Sequence, residues 1–276
     1  SSRWFRKGKA PAMVRTSLAA VLLVAASASA LAEDAPGWFR DAARVALPVY
    51  GPKVPAVVLL NDRSIAVDET GKTVTTTRMA LRTLTKEGAR YASGGEVYMT
   101  EGGKVRDFRA WLMYPSGTIK KLEKSEILDR TIADNDIYNE YRLRVASAGR
   151  DADPGAIFGY EAVIEEKSVF TQFDFEFQDT LPALRAQLSL TLPDGSTADS
   201  LTVNHSAKIE PKISGSSYTW ALGNLPHIEF EDSCPNGRAL SPRVSGSYFP
   251  SNAKKPFATW EDVSQWLDAL NESQFE

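Results

Sequence analysis

The sequence predicts a mainly β chain: an antiparallel two-sheet β-sandwich with short helices at its N-terminal and C-terminal ends. Three observations carry this. Strand-like runs recur at roughly ten-residue spacing, separated by Pro/Gly turns. The middle of the chain alternates with period two: Phe173, Phe175 and Phe177 are interleaved with Asp174 and Glu176. Leu184, Ala186, Leu188, Leu190 and Leu192 are likewise interleaved with Arg185, Gln187, Ser189 and Thr191. Such alternation puts one face of a strand in a core and the other in water. Long helical patterns between strands are missing, which disfavours a parallel α/β sheet.

The first element of the folded part is a short amphipathic helix. Between Pro36 and Leu47, Phe39, Ala43 and Leu47 recur at a spacing of four, with Trp38 and Val45 broadening the stripe. Pro48, Pro52 and Pro55 end it. Ala56–Leu60 is a continuous apolar run, as expected of a strand buried on both faces. Ser64–Val67, a turn at Asp68–Gly71, and the threonine-rich stretch Thr73–Leu84 read as a hairpin, with Gly71 supplying a positive φ. Strands follow near Glu96–Met99 and Val105–Tyr114. Pro115-Ser116-Gly117 and Pro193-Asp194-Gly195 are turns in which Pro presets φ and Gly permits φ > 0. Tyr218–Leu222 adds a strand. Ser251–Pro256 reads as a linker. Thr259 then caps a helix, with Asp262 as its capping-box partner. Trp260, Val263, Leu267 and Leu270 form one apolar face of that helix.

Composition bounds the setting. Residues 1–32 hold five of the 32 basic residues and none of the 35 acidic ones. An apolar run from Leu18 and an Ala30-Leu31-Ala32 site complete the pattern of a secretory signal peptide, cleaved after Ala32. That run is shorter than the ~20 residues of a bilayer-spanning helix. Met13-Val14-Arg15 would open such a peptide unaided, so residues 1–12 are left out of fold reasoning. Removing the prefix moves the net charge from −3 to −8, which argues against nucleic-acid and anionic-lipid partners. The expected destination is the periplasm or the exterior of a bacterial cell. A single cysteine, Cys234, rules out an internal disulfide. The expected division is 1–32 signal peptide, 33–55 helix and linker, 56–250 β-sandwich, and 251–276 linker and first helix of a further domain.

Candidate chemistry is sparse. Cys234 with His205 or His227 would make a cysteine hydrolase, but it sits in a turn-rich stretch with no helix N-terminus to lower its pKa. An unreactive thiol is the competing reading. Asp134, Asp136 and Glu140 suggest a calcium loop, without the Gly and Glu spacing an EF-hand requires. Asp151 with Asp153, and Glu229 with Glu231 and Asp232, are looser still. Trp111, Tyr114, Tyr218 and Trp220 would suit either a glycan-stacking platform or a sandwich core. No phosphate loop, H-E-x-x-H or G-x-S-x-G occurs.

Taken in order, several stretches resemble a known family. They are Ala56–Asp62, Val67–Lys72, Leu81–Gly88, Pro115–Ile119, Leu192–Gly195, Tyr218–Trp220, Asn224–Glu229 and Thr259–Val263. Together they are similar to the uncharacterised N-terminal β domain that precedes transglutaminase-like domains in exported bacterial proteins. The resemblance spans about residues 50–270. It implies a two-sheet sandwich followed by a papain-like transglutaminase or peptidase domain that uses Cys, His and Asp in chain order. It carries over no catalytic residue, cofactor or metal ligand, because only the opening helix of that second domain is represented. Its implied function is a non-catalytic accessory domain that positions protein or peptide substrate. The partner would dock through Trp260, Val263, Leu267 and Leu270. Asp151–Tyr160 departs from the family pattern by its acidic lead-in.

Overall fold

The computed structural model describes residues 35–132, 140–167, 171–229, 237–251 and 259–272. The residues read as a signal peptide, Cys234, Asp134, Asp136, Glu231 and Asp232 lie outside them. Strand accounts for 52% of the chain and helix for 13%, so the chain is mainly β as read.

In chain order the elements are α1 (Gly37–Ala43), β1 (Ala56–Val67), β2 (Lys72–Thr83), β3 (Ser93–Met99), β4 (Gly103–Met113), β5 (Ile119–Lys121), β6 (Ile127–Thr131) and β7 (Tyr141–Ser147). Then come β8 (Ile157–Lys167), β9 (Gln172–Glu176), β10 (Ala183–Thr191), β11 (Thr197–Val203), β12 (Lys212–Ser214), β13 (Ser217–Leu225), α2 (Gly237–Leu240), β14 (Arg243–Phe249) and α3 (Trp260–Glu272). One layer is an eight-stranded sheet in the order β12-β13-β10-β1-β2-β8-β4-β5. The facing layer is split into two three-stranded sheets, β3-β7-β6 and β11-β14-β9. Among the described residues the pairings are antiparallel except one: β10 runs parallel to β1.

A bulge explains the apolar run at the start of β1. The β1–β2 register shifts between Val58 and Leu60. Ala56 and Val58 therefore face the small sheets, while Val57, Leu59 and Leu60 face the opposite side. Beyond the bulge the parity has changed, and Arg63, Ile65 and Val67 face the small sheets. Both faces of the strand are covered at its start, so every residue there is apolar.

The outer face of the large sheet is covered at one end by α1. Phe39 is fully buried and packs against Ala80, Trp111 and Ile157. Burial of such a side chain contributes about 1.5–3 kcal/mol. Gly159 makes this possible: a Cβ there would sit 2.6 Å from Phe39 Cδ2, so Gly159→Ala would force the helix off the sheet. Arg82 donates to the Ala43 carbonyl at 2.7 Å, satisfying an orphan acceptor at the helix C-terminus.

The alternation read from the sequence is realised. Phe173, Phe175, Phe177, Leu188, Leu190 and Trp220 share one core between β11-β14-β9 and the large sheet. Leu184 departs from it and packs with the α1 cluster, where Asn224 of the adjacent strand takes a left-handed φ of 53°. The expected turns hold, with φ of +79° at Gly71, +88° at Gly117 and +79° at Gly195. Thr259 and Asp262 form the expected capping box: Thr259 N donates to Asp262 Oδ2 at 2.8 Å, and Asp262 N to Thr259 Oγ1 at 3.2 Å.

Candidate functional site

Beside α1, where the helix stops short of covering the sheet, a groove of about 660 Å³ opens on the outer face. One wall is Trp38 and the segment through Val45 and Leu47 that leaves the helix; the floor is Leu59, Leu60, Asp62 and Arg78; the far wall is Leu184, Arg185 and Asn224. The groove exists because α1 is only seven residues long and the prolines after it turn the chain away. Its volume falls in the range of ligand pockets, which are mostly apolar with a few convergent polar groups.

The polar groups are unevenly satisfied. Arg78 is neutralised by Glu161, its Nε 2.7 Å from Oε2. Glu161 also accepts from Arg109 at 2.6 Å, and Arg109 reaches Asp107 at 2.8 Å, so a charge ladder crosses β2, β8 and β4. Asp62 stands next to this ladder, opposite Arg78 on β2 and Gln187 on β10. No hydrogen bond or ion pair reaches it from the described residues. Burial pushes its carboxyl above the usual range, and the positive charges of Arg78 and Arg185 offset this only in part. Trp38 Nε1 is buried without an acceptor. Among the described residues Arg185 bonds Gln187 Oε1, at 3.3 Å. Among the described residues the lining contains no serine, cysteine or histidine. The groove offers shape, apolar surface and fixed charge.

A second polar locus lies inside the molecule, at the seam between the large sheet and β3-β7-β6. Arg63 donates to Glu96 at 3.0 and 3.3 Å, and the Tyr160 hydroxyl donates to Glu96 at 2.9 Å. Burial first, and the Glu96 charge second, push the Tyr160 phenol well above its ordinary value, so it stays a neutral donor. A cavity of about 260 Å³ adjoins this triad where the three sheets meet. Nearby, Asp129 accepts from Arg142 at 2.6 Å, from Tyr98 at 2.8 Å and from Arg144. Burial raises the Asp129 carboxyl, but the hydrogen bonds from Arg144, Arg142 and Tyr98 outweigh it and hold it at about 2. On the outer face, hydrogen bonding to Lys72 at 2.5 Å, with Lys104 and Arg106 close by, holds Glu165 below the usual range despite its burial.

Several sequence candidates resolve differently. Trp111 and Trp220 are fully buried, and Tyr218 is buried and stacked on Trp220 at 6.0 Å. They belong to the core and present no ring face to a sugar. His205 bonds the Ala207 carbonyl at 2.7 Å. Asp151 pairs with Lys120 at 3.2 Å and Glu229 with Lys53 at 3.7 Å, at the surface. Glu140 meets Glu101, and their shared hydrogen bond raises the Glu140 carboxyl. Among the described residues no three His, Cys, Asp or Glu side chains gather as a metal site would require. The residues that sequence reasoning passed over are Trp38, Asp62 and Arg185. The available signal was a charged residue two positions after an apolar strand run, at Asp62.

A family model for a domain of unknown function, DUF3857, matches residues 69–229. No curated protein matches the chain. Among solved structures, the chain is similar to a suspected protease from Parabacteroides distasonis, with a TM-score of 0.61 and 19% identity. That match covers 71% of this chain and 41% of the other, and it shows a shared fold. Yeast LTA4 hydrolase in complex with bestatin (TM-score 0.34, 10% identity, 77% of this chain and 33% of that one) is a slighter likeness. So is aminopeptidase A of Legionella pneumophila in complex with aspartic acid (0.27, 9%, 71% and 22%). The chain spans less than half the length of each of these proteins.

Proposed function

The chain belongs to the DUF3857 family, and from that premise we propose that it is the non-catalytic accessory domain of a longer exported protein with a papain-like transglutaminase or peptidase domain. In that role it positions protein or peptide substrate. The observation that carries the reading is the fold shared with a suspected protease over 41% of that protein's length, which leaves the larger remainder for chemistry. Two further features support it. The groove beside α1 offers apolar surface with fixed charge at its floor. On α3, Trp260 is 87% and Leu267 47% exposed, an apolar surface of the kind that marks a docking site. Val263 is half-buried, and the Leu270 side chain lies outside the described residues. No helix among the described residues is long and apolar enough to cross a membrane. The basic start, apolar run and Ala30-Leu31-Ala32 site support a periplasmic or secreted destination.

The test has two steps. The reading frame beyond Glu276 should encode a Cys-, His- and Asp-bearing domain. In the joined protein, the double variant Trp260→Asp, Leu267→Asp should slow turnover of a folded protein substrate while leaving hydrolysis of a small thiol-reactive ester intact. A stop codon directly after Glu276, or equal loss on both substrates, would count against the accessory role.

A further inference from the structure

We propose that the open edge of β3, in the cleft between the two small sheets, takes up an extended, basic segment of polypeptide as an added strand. The proposal rests on the accessory reading for the source of that segment, a protein substrate of the attached domain. Its chemistry comes from main-chain groups that the fold leaves unpaired.

Hydrogen-bond parity identifies these groups, because adjacent residues of a strand send their N–H and C=O to opposite sides. The β3–β7 pairing continues past both ends of β3 through even-numbered residues. Ala148 N donates to the Ala92 carbonyl at 2.8 Å, and Thr100 N to the Glu140 carbonyl at 2.9 Å. The main chain of Gly95, Val97 and Met99 therefore points away from β7. Side chains of β8 cover the outer two. The Tyr160 hydroxyl lies 3.4 Å from the Gly95 carbonyl oxygen, and Met99 N donates to Glu166 Oε1 at 3.5 Å. Val97, between them, has neither its N–H nor its C=O bonded among the described residues, and it lines the cleft of about 260 Å³. The opposite wall is β9, an edge strand of the other small sheet. There Tyr248 N donates to the Thr171 carbonyl and Phe177 N to the Pro242 carbonyl. The main chain of Gln172, of the other parity, is turned away from β14, and Gln172 lines the same cleft.

A strand edge with a free main-chain donor and acceptor is a template for another strand. Here the edge is recessed. Its cleft admits a short extended stretch, whereas a second copy of this chain would have to bring a folded edge past β9. The floor is Ile65, Ile164 and Leu190, with Thr73 and Thr75 beside them, so every second side chain of an added strand meets apolar or small polar surface. Val97 is 49% exposed, which leaves the mouth open to solvent. Charge selects the segment. Glu96, Glu166 and Asp174 line the cleft, against Arg63 as the cation among the described residues. That surplus repels an acidic segment and attracts one carrying lysine or arginine.

The test titrates the full chain with acetyl-Lys-Val-Thr-Val-Thr-Lys-amide by calorimetry, with amide hydrogen exchange at Val97 read by NMR. Binding in the micromolar to submillimolar range and slower exchange of the Val97 N–H are expected. Val97→Pro removes that N–H without touching the β7 ladder and should weaken binding by about tenfold or more. Val97→Thr keeps the main chain and should bind within about twofold of the parent. Far-ultraviolet circular dichroism and Tm report whether each variant still folds. Independently of any variant, N-methylation of the central threonine and valine of the peptide should also cost about tenfold or more. Replacing both lysines by glutamate should cost about threefold or more. No binding up to about 1 mM, equal affinity in folded Val97→Pro, or unimpaired binding of the N-methylated peptide would each overturn the assignment. So would tighter binding of the acidic peptide, or a dimer of the free chain that Val97→Pro dissolves. This experiment needs no attached catalytic domain, so its failure is distinguishable from failure of the accessory reading, which the protein-turnover comparison addresses.

Discussion

The two three-stranded sheets sit side by side on one face of the large sheet and use opposite chemistry to hold on. β11-β14-β9 turns Phe173, Phe175, Val244 and Tyr248 inward and its ions outward, with Ser245 bonded to Asp174 on the open side. Its contact with the large sheet is mainly apolar, with Trp220 Nε1 donating to Ser200 at 3.1 Å and Asn61 Nδ2 to the Glu176 carbonyl at 3.1 Å. β3-β7-β6 is turned the other way. Glu96, Tyr98, Asp129, Arg142 and Arg144 make polar contacts on its inner side, while Val97, Leu128 and Tyr141 are 49%, 42% and 49% exposed on the other. Alternation of residue type assigns side chains to faces; it does not say which face is inward. That choice is made by what the large sheet offers: Leu188, Leu190 and Trp220 to one small sheet, Arg63 and Tyr160 to the other.

Trp220→Ala should destabilise the chain by about 3–5 kcal/mol in urea unfolding, because it opens a cavity in the mainly apolar contact. A loss below about 1 kcal/mol would mean that this core is not packed as described. Tyr160→Phe removes one donor from the buried Glu96 and should cost about 1–2 kcal/mol. Were the variant as stable as the parent, the polar seam would contribute nothing.

Asp129→Asn should cost about 1 kcal/mol at neutral pH, a figure discounted for a carboxylate that is still a quarter exposed. Its signature is in acid. The folded carboxyl sits at about 2 against an ordinary 3.8, so its contribution is present above about pH 4 and lost as pH falls towards 2. The variant's stability curve should be flatter than the parent's across that window. Parallel curves would remove Asp129 from the account. Val97→Thr, on the open apolar side, should change stability by no more than about 0.5 kcal/mol. A larger loss would show that the face is covered.

Much of the fold was legible in local sequence. Period-two runs at Phe173–Phe177 and Ala186–Leu192, the glycines at 71, 117 and 195, and the Thr259–Asp262 cap all depend on residues within a few positions of one another. The candidate site was not, apart from the odd placement of Asp62. Trp38, Asp62, Arg78 and Arg185 come from four separate stretches of chain. They meet only because β10 runs parallel to β1 and α1 stops after seven residues. The aromatics show the same limit from the other side: Trp111 and Trp220 suited a platform or a core equally well until their burial was known.

The sequence alone determined that this is a β-rich layered chain, where its turns and caps fall, and which side chains share a face, because each follows from dihedral preferences and a two-residue repeat. Tertiary structure alone decided which face of β3-β7-β6 is inside, where the bulge at Val58–Leu60 reverses parity, and that Asp62, Arg78 and Arg185 meet at one groove. Those outcomes depend on the desolvation and pairing of groups distant in the chain, 33 residues for Arg63 with Glu96 and 64 for Tyr160 with Glu96, which local sequence does not encode.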